Sequence, residues 1–197
     1  MLLQNEITHS ATLAYLDAAQ SSLPHRISTI FNPSPMPSAS QIKAFPWTKL
    51  NWLIVNEVEA SDLCKHLAPD TEPSTSKYAQ SAAASFPAFP YALTLSDILP
   101  TVNLVCTIGS EGVIALLPSL TDDPSPIHLP AAKLRGNVRD TTGAGDCFTG
   151  YLAAGLMKLE ERHIGAFTRD EIIHVLIRCV QVCGILTTPI STDDNRP

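Results

Sequence analysis

Short apolar runs are the feature of this sequence that most restricts its fold. Residues 52–55 are Trp-Leu-Ile-Val, residues 102–108 are almost wholly apolar, and residues 113–117 follow after a tight turn. Runs of this kind, without polar alternation, are typical of strands covered on both faces. Helical spacing occurs between them, at residues 8–20 and 57–67. Strands that alternate with helices predict an α/β fold with a mainly parallel sheet flanked by helices.

The remaining segments fit this scheme. Residues 26–31 predict a short strand and residues 38–45 a short helix. The Pro-rich stretches 69–90 and 118–130 are predicted loops, the first with a partial helix near 76–85. Two long helices are predicted last. They cover about 145–159 and the segment after the capping box Thr168-Arg-Asp-Glu171, as far as about 186.

Composition excludes several classes of protein. The chain has 197 residues, 45% hydrophobic and 16% charged, which indicates a globular protein. The net charge of −6 lacks the basic clustering that nucleic-acid binding needs, and no apolar run is long enough for a membrane span. None of the five cysteines forms a CxxC pair. Buried, reduced thiols are therefore favoured over metal ligands or a disulfide, which indicates a cytoplasmic protein, with the nucleus as an alternative.

A glycine-rich loop is the strongest candidate for chemistry. It reads Asp140-Thr-Thr-Gly-Ala-Gly-Asp146 and opens a helix. Small residues allow backbone amides to approach a ligand, and the first helical turn supplies unpaired N–H donors. Gly143, Ala144 and Gly145 are therefore candidates for an anion hole, with Asp146 as a proton acceptor at its edge. An equally simple interpretation of the spacing is a structural helix start after a tight glycine turn.

This loop, with the Cys-Phe-Thr-Gly that follows it, resembles the signature of the PfkB-type carbohydrate kinases, the ribokinase family. The resemblance implies a ribokinase-like fold. It makes Asp146 the catalytic base that meets the sugar hydroxyl, and it makes Gly143, Ala144 and Gly145 the holders of the transferring phosphoryl group. It also implies that Asp140 and Thr142 help hold a monovalent cation such as K⁺.

Two further motifs follow in the family's order. Asn56-Glu-Val-Glu59 resembles its Asn-x-x-Glu motif, so that Asn56 and Glu59 would organise Mg²⁺ through water and Asn56 would contact the nucleotide. Thr107-Ile-Gly-Ser-Glu-Gly112 resembles a turn that lies along the nucleotide, contributing Thr107, Gly109 and Gly112. Taken alone, the first motif is also an ordinary helix start and the second an ordinary β-turn.

Other matches concern the sugar and the base. Leu3-Gln-Asn-Glu6 resembles a strand end at which the Glu, here Glu6, reaches the sugar, and Asn32-Pro-Ser-Pro35 resembles an Asn-Pro-Ala-Pro segment. Both favour D-ribose. Gln181 aligns with a helix that covers the adenine, although a polar residue on a helix rim is the simpler explanation.

The resemblance covers residues 1 to about 186 and only the later part of a family member. We expect a partial PfkB-type domain over 1–197, truncated at the N-terminus and without the β-lid, and thus a poor sugar kinase by itself. A fragment, an alternative gene model and a decayed copy remain open. Residues 187–197 lack the Gly-Ala pair of the family's cation site, which argues against K⁺.

The expected activity is ATP- and Mg²⁺-dependent phosphorylation of a sugar primary hydroxyl, D-ribose to D-ribose 5-phosphate. The alternatives are a catalytically incomplete nucleotide-binding remnant and a kinase for another sugar or nucleoside. ATP and a small sugar are the expected partners, without nucleic acid or membrane, and the full-length family form admits a homodimer. We expect Asn56, Glu59, Thr107, Gly112 and Asp146 to meet at the carboxyl ends of the strands.

Overall fold

One six-stranded sheet organises the protein. The computed structural model describes residues 1–22, 27–73, 76–120, 122–133, 142–162 and 166–186. The strands lie in chain order: β1 (Leu2–Gln4), β2 (Ile30–Asn32), β3 (Trp52–Asn56), β4 (Asn103–Thr107), β5 (Val113–Leu116) and β6 (Ile127–Leu129). Strands β1 to β4 pair in parallel, whereas β5 is antiparallel to both β4 and β6. The predicted α/β fold with a mainly parallel sheet is confirmed.

Helices cover both faces of this sheet. They are α1 (His9–Ser21), α2 (Ala39–Ala44), α3 (Glu57–Leu67), α4 (Phe89–Ile98), α5 (Ala144–Glu160) and α6 (Arg169–Leu186). Leu53 and Val55 of β3 pack with α1 to α4 in one core, and Trp52 and Ile54 pack with α5 and α6 in the other. Because strand side chains alternate between faces, burial on both sides explains the continuous apolar run.

Helix ends follow the capping residues that the sequence offers. The Thr8 hydroxyl accepts from the Ala11 amide at the start of α1, and the Thr168 amide donates to Glu171 Oε2 at 2.9 Å before α6. The capping box predicted at Thr168 is therefore confirmed. Such caps satisfy amide groups that have no partner inside the helix.

Four predictions need correction. Strand β6 lies in the predicted loop 118–130, between two prolines that a short edge strand tolerates. Helix α4 was not predicted, although Pro90 in its first turn is a start signal. The partial helix near 76–85 is two short 3₁₀ helices, Ser76–Tyr78 and Ala82–Ser85. Of the strand predicted at 26–31, residues 27–31 are described, and the strand there begins only at Ile30 and runs to Asn32, because the Thr29 amide donates to the side-chain oxygen of Asn51 instead of to a neighbouring strand.

All five cysteines are free, and three of them are buried. Burial raises the pKa of Cys106 and of Cys179 to about 12. These two thiols therefore behave as small apolar groups of the core.

Candidate functional site

Polar side chains collect where the parallel strands end. Gln4 is the register partner of Asn32, and Asn56 is the register partner of Thr107. Each of these residues closes its own strand, so all four lie at the carboxyl edge of the sheet. This edge is where open α/β sheets bind ligands.

The first turn of α5 presents unpaired amides. Gly143 precedes the helix with a left-handed φ of 76°, and no side chain caps this end. The first intrahelical bond runs from the Cys147 amide to Gly143 O, at 2.9 Å. Within the described segments, the amides of Ala144, Gly145 and Asp146 donate to nothing. Unpaired amides and the positive end of the helix dipole are the two features that anion binding at a helix start requires.

The carbonyls of this turn, in contrast, are held. The Thr149 hydroxyl donates to Gly145 O at 2.8 Å, and the Cys183 thiol of α6 donates to Ala144 O at 3.3 Å. The turn is thereby fixed from its own helix and from the neighbouring one, which keeps its amides in place.

A cavity of about 540 Å³ opens beside these amides, between the β4–β5 turn and helices α5 and α6. Its walls contain five of the predicted site residues: Thr107, Gly109, Gly112, Ala144 and Gly145. The other lining residues are Ser110, Ala131, Ala132, Lys133, Phe148, Val180, Cys183 and Gly184. A mostly apolar pocket with phosphate-type donors at one end suits a nucleotide.

Glycine is required at the turn beside this cavity. Gly112 has a φ of 101°, and a Cβ there would lie 2.0 Å from the carbonyl oxygen of Leu129 and 2.6 Å from the amide nitrogen of Ala131. The backbone that forms one wall of the cavity thus packs directly on Gly112. Gly109 is also left-handed, with a φ of 56°, but a Cβ there would meet nothing within 4 Å.

Asn56 and Glu59 form a capping box at the start of α3. The Asn56 amide donates to Glu59 Oε2 and the Glu59 amide to Asn56 Oδ1, both at 2.9 Å. Glu59 is only 9% exposed, and burial raises its pKa although the Asn56 amide and the Ser34 hydroxyl stabilise the carboxylate. Asn56 is exposed beside Thr107. The motif is therefore a helix start with one buried acid. Asn56 and Glu59 are not among the residues that line the cavity, but Asn56 is the register partner of Thr107, which lines it.

Asp146 is hydrogen-bonded to a residue of a second hollow. Gln4 Nε2 donates to Asp146 Oδ1 at 2.8 Å. Gln4 and the exposed Glu6 line a hollow of about 340 Å³, which is completed by Met1, Leu2, Leu3, Ile7 and Tyr15. The turn of α5 thus lines the larger cavity through Ala144 and Gly145, and Asp146 in the same turn is hydrogen-bonded to a residue that lines the smaller hollow.

Some predicted residues lie elsewhere. Gln181 is exposed on α6 and does not line the larger cavity, whereas its neighbours Val180 and Cys183 do. Asp140 lies outside the described residues, and Thr142 is exposed in the turn before α5. Lys133 lines the larger cavity but was not predicted, because a single lysine between a Pro-rich loop and a glycine loop gives no sequence signal.

Comparison with known proteins places this chain in a family. The model of the pfkB family carbohydrate kinases matches residues 2–167. This chain belongs to the pfkB family of carbohydrate kinases. The predicted family and the ribokinase-like fold are confirmed.

Relatives of this pfkB family chain include two curated proteins named ribokinase. It is 31% identical over 158 residues to the one from Lactococcus lactis subsp. lactis (strain IL1403), and 31% identical over 153 residues to the one from Mus musculus. The matches cover 79% and 78% of this chain, but 40% of each relative.

A solved structure is also similar over nearly the whole chain. It is ribokinase from Cryptococcus neoformans var. grubii serotype A in complex with ADP, with 37% identity and a TM-score of 0.76. The match covers 96% of this chain and 55% of that one.

None of the helices in the described ranges is long and apolar enough to span a membrane.

Proposed function

We propose that the protein transfers the γ-phosphoryl group of ATP to the primary hydroxyl of a sugar, converting D-ribose to D-ribose 5-phosphate. One observation carries this proposal. Asp146 follows the unpaired amides at the mouth of the larger cavity, and its carboxylate is bonded to Gln4 of the smaller hollow. A proton acceptor between a phosphate site and a second site is the arrangement that phosphoryl transfer to an alcohol needs.

The reaction follows from these positions. The base and ribose of ATP occupy the larger cavity, and the terminal phosphates reach the amides of Gly143, Ala144, Gly145 and Asp146. The Asp146 carboxylate accepts the proton of the sugar hydroxyl as its oxygen attacks the γ-phosphorus. The bond from that phosphorus to the bridging oxygen breaks and ADP leaves. The amides stabilise the charge that develops on the transferring group.

Mg²⁺ is the metal that this chemistry implies, and Asn56 with Glu59 is the candidate site. Within the described residues no cluster of three or more His, Cys, Asp or Glu side chains is placed to hold a metal. One carboxylate that acts through water still fits Mg²⁺, which keeps several of its waters and binds substrate phosphates. Bound there, the ion would neutralise phosphate charge. Asp140 and Thr142 are the candidates for a K⁺ site.

The smaller hollow is the proposed sugar site, with Glu6 as a hydrogen-bonding partner. The ribokinase relatives support D-ribose as the substrate, and a kinase for another sugar or a nucleoside is the alternative. A cytoplasmic location is consistent with the five free cysteines.

The test is a coupled assay of ADP release with ATP, Mg²⁺ and D-ribose, on the chain and on Asp146→Asn. Loss of the base should lower kcat by roughly 10²–10⁴-fold. ADP affinity, measured by calorimetry, should change little because the amides remain. Asp70→Asn, a change at an exposed carboxylate after α3, is the matched control and should leave both quantities unchanged.

Two outcomes would contradict the proposal. Ribose-dependent turnover that is undiminished in Asp146→Asn would refute the role of Asp146. Tight ADP binding without turnover on D-ribose or on any other sugar or nucleoside tested would instead identify a catalytically incomplete nucleotide-binding protein.

A further inference from the structure

The carboxylate of Asp146 is held by a residue from the far end of the chain. Gln4 Nε2 donates to Asp146 Oδ1 at 2.8 Å across 142 positions of sequence. We propose that Gln4 is the positioning residue for this carboxylate, holding it toward the smaller hollow; this inference rests on the proposed function. Gln4 acts through Asp146 and takes no part in the transfer itself.

Gln4 belongs to a backbone segment that hydrogen bonds hold in place. Gln4 ends β1 in parallel register with Asn32 of β2. The next residue is tied down as well, because the Asn5 amide donates to Ser34 O at 3.1 Å and its side chain donates to Pro35 O at 2.7 Å. The Gln4 side chain therefore extends from a backbone that is anchored on both sides.

The acceptor has little else to hold it. Asp146 is exposed in the first turn of α5. Among the residues that the structure describes, Gln4 is the one hydrogen-bond donor to the Asp146 carboxylate. Without it, an exposed side chain would distribute over several rotamers. A misplacement of about 1 Å at a reacting group can reduce the rate on the order of 100-fold.

The chemistry of this contact suits a base. The amide occupies Oδ1 and leaves Oδ2 for the sugar hydroxyl. Because the donor is neutral, it orients the carboxylate without placing an opposite charge beside it. Gln4 also lines the smaller hollow and is not among the residues that line the larger one. Its loss should therefore affect the transfer step and spare nucleotide binding.

The experiment compares Gln4→Met, which keeps the length but removes the donor, with Gln4→Glu, which places a carboxylate against Asp146. Gln4→Met should lower kcat by roughly 10- to 100-fold with KM for ATP unchanged. Gln4→Glu should in addition move the acid limb of the kcat–pH profile to higher pH, because two facing carboxylates retain a proton more readily. Gln20→Met is the matched control: its Nε2 donates to Lys49 O at 3.1 Å, away from the site, and the change should leave kcat and KM unaltered.

Unchanged kcat in Gln4→Met, or an equal loss in Gln20→Met, overturns the inference. Absence of sugar-dependent turnover in the unaltered chain refutes the proposed function instead. In that case a double-mutant cycle of Gln4→Met and Asp146→Ala, measured by urea unfolding, tests whether the two side chains interact. We expect the effects of the two changes on the unfolding midpoint to be non-additive, and additive effects would overturn the inference.

Discussion

Glu59 combines a structural and a proposed functional role in one carboxylate. It completes the capping box of α3, and it belongs to the motif proposed to organise Mg²⁺. Burial raises its pKa, so the native state binds a proton at this position more readily than the unfolded chain does. Protonated Glu59 therefore adds to the free energy of unfolding at low pH, and this contribution is lost as the pH rises through the raised pKa.

Glu59→Gln tests this linkage. Glutamine also completes a capping box and does not titrate. We expect the free energies of unfolding of the two proteins to match at about pH 4, and the variant to become the more stable one as the pH rises toward neutrality. Urea unfolding at several pH values measures this, with Glu72→Gln at an exposed position as the control. A variant that loses stability relative to the unaltered chain as the pH rises contradicts the assignment.

Gly112 is the residue whose replacement should damage the larger cavity most directly. In Gly112→Ala the new methyl would meet the backbone of Leu129 and Ala131, and the left-handed φ adds strain. We expect a loss of about 1–3 kcal/mol of stability from overpacking and a clear loss of ADP affinity. In Gly109→Ala a Cβ meets nothing within 4 Å, so only the conformational penalty of the left-handed φ applies. This variant should lose less stability and less ADP affinity than Gly112→Ala. Urea unfolding measures the stability and calorimetry the ADP affinity of both variants. Equal losses in Gly112→Ala and Gly109→Ala would show that the wall of the larger cavity is not packed on Gly112.

At the scale of elements, α5 and α6 approach each other through Gly155. A Cβ at this position would lie 2.5 Å from Val175 Cγ1. Helix α6 is thereby held close enough for Cys183 to bond the first turn of α5. The packing of two helices thus helps to define the anion site.

Two glycines of α5 provide a matched pair of variants. Gly150→Ala, at an exposed position with nothing within 4 Å, should gain up to about 1 kcal/mol from helix propensity. In Gly155→Ala the same gain is opposed by the clash with Val175, so its stability should fall about 1–3 kcal/mol below that of Gly150→Ala. Thermal or urea unfolding measures both. Equal stabilisation by the two changes would mean that the helices do not depend on this close contact.

The elements also show what a sequence can predict. Strand β3 and helix α5 were predictable because an apolar run and a glycine loop before a helical pattern are local signals. Strand β6 and helix α4 were not, because the prolines on either side of β6 and Pro90 in the first turn of α4 are equally typical of loops. The contact between Gln4 and Asp146 has no local signal, since only the sheet topology brings these residues together.

At the scale of the whole molecule, the carboxyl edge of the sheet unites segments that are distant in sequence. Gln4 at the end of β1 is hydrogen-bonded to Asp146 in the first turn of α5, and Thr107 at the end of β4 lines the larger cavity together with Ala144 and Gly145 of that turn. Asn56 at the end of β3 is the register partner of Thr107. The family match covers residues 2–167, while the chain spans about 40% of the curated relatives it matches. Nucleotide binding is therefore the first property to establish for this chain.

Titration of the ¹⁵N-labelled chain with ADP and with adenosine, followed by NMR, tests this most directly. We expect both ligands to shift the amide signals of Gly109 and Gly112, which border the larger cavity. Only ADP, which carries phosphates, should also shift those of Gly143, Ala144, Gly145 and Asp146. ADP binding that leaves these four amides unmoved would contradict the phosphate site at the start of α5, and with it the proposed transfer.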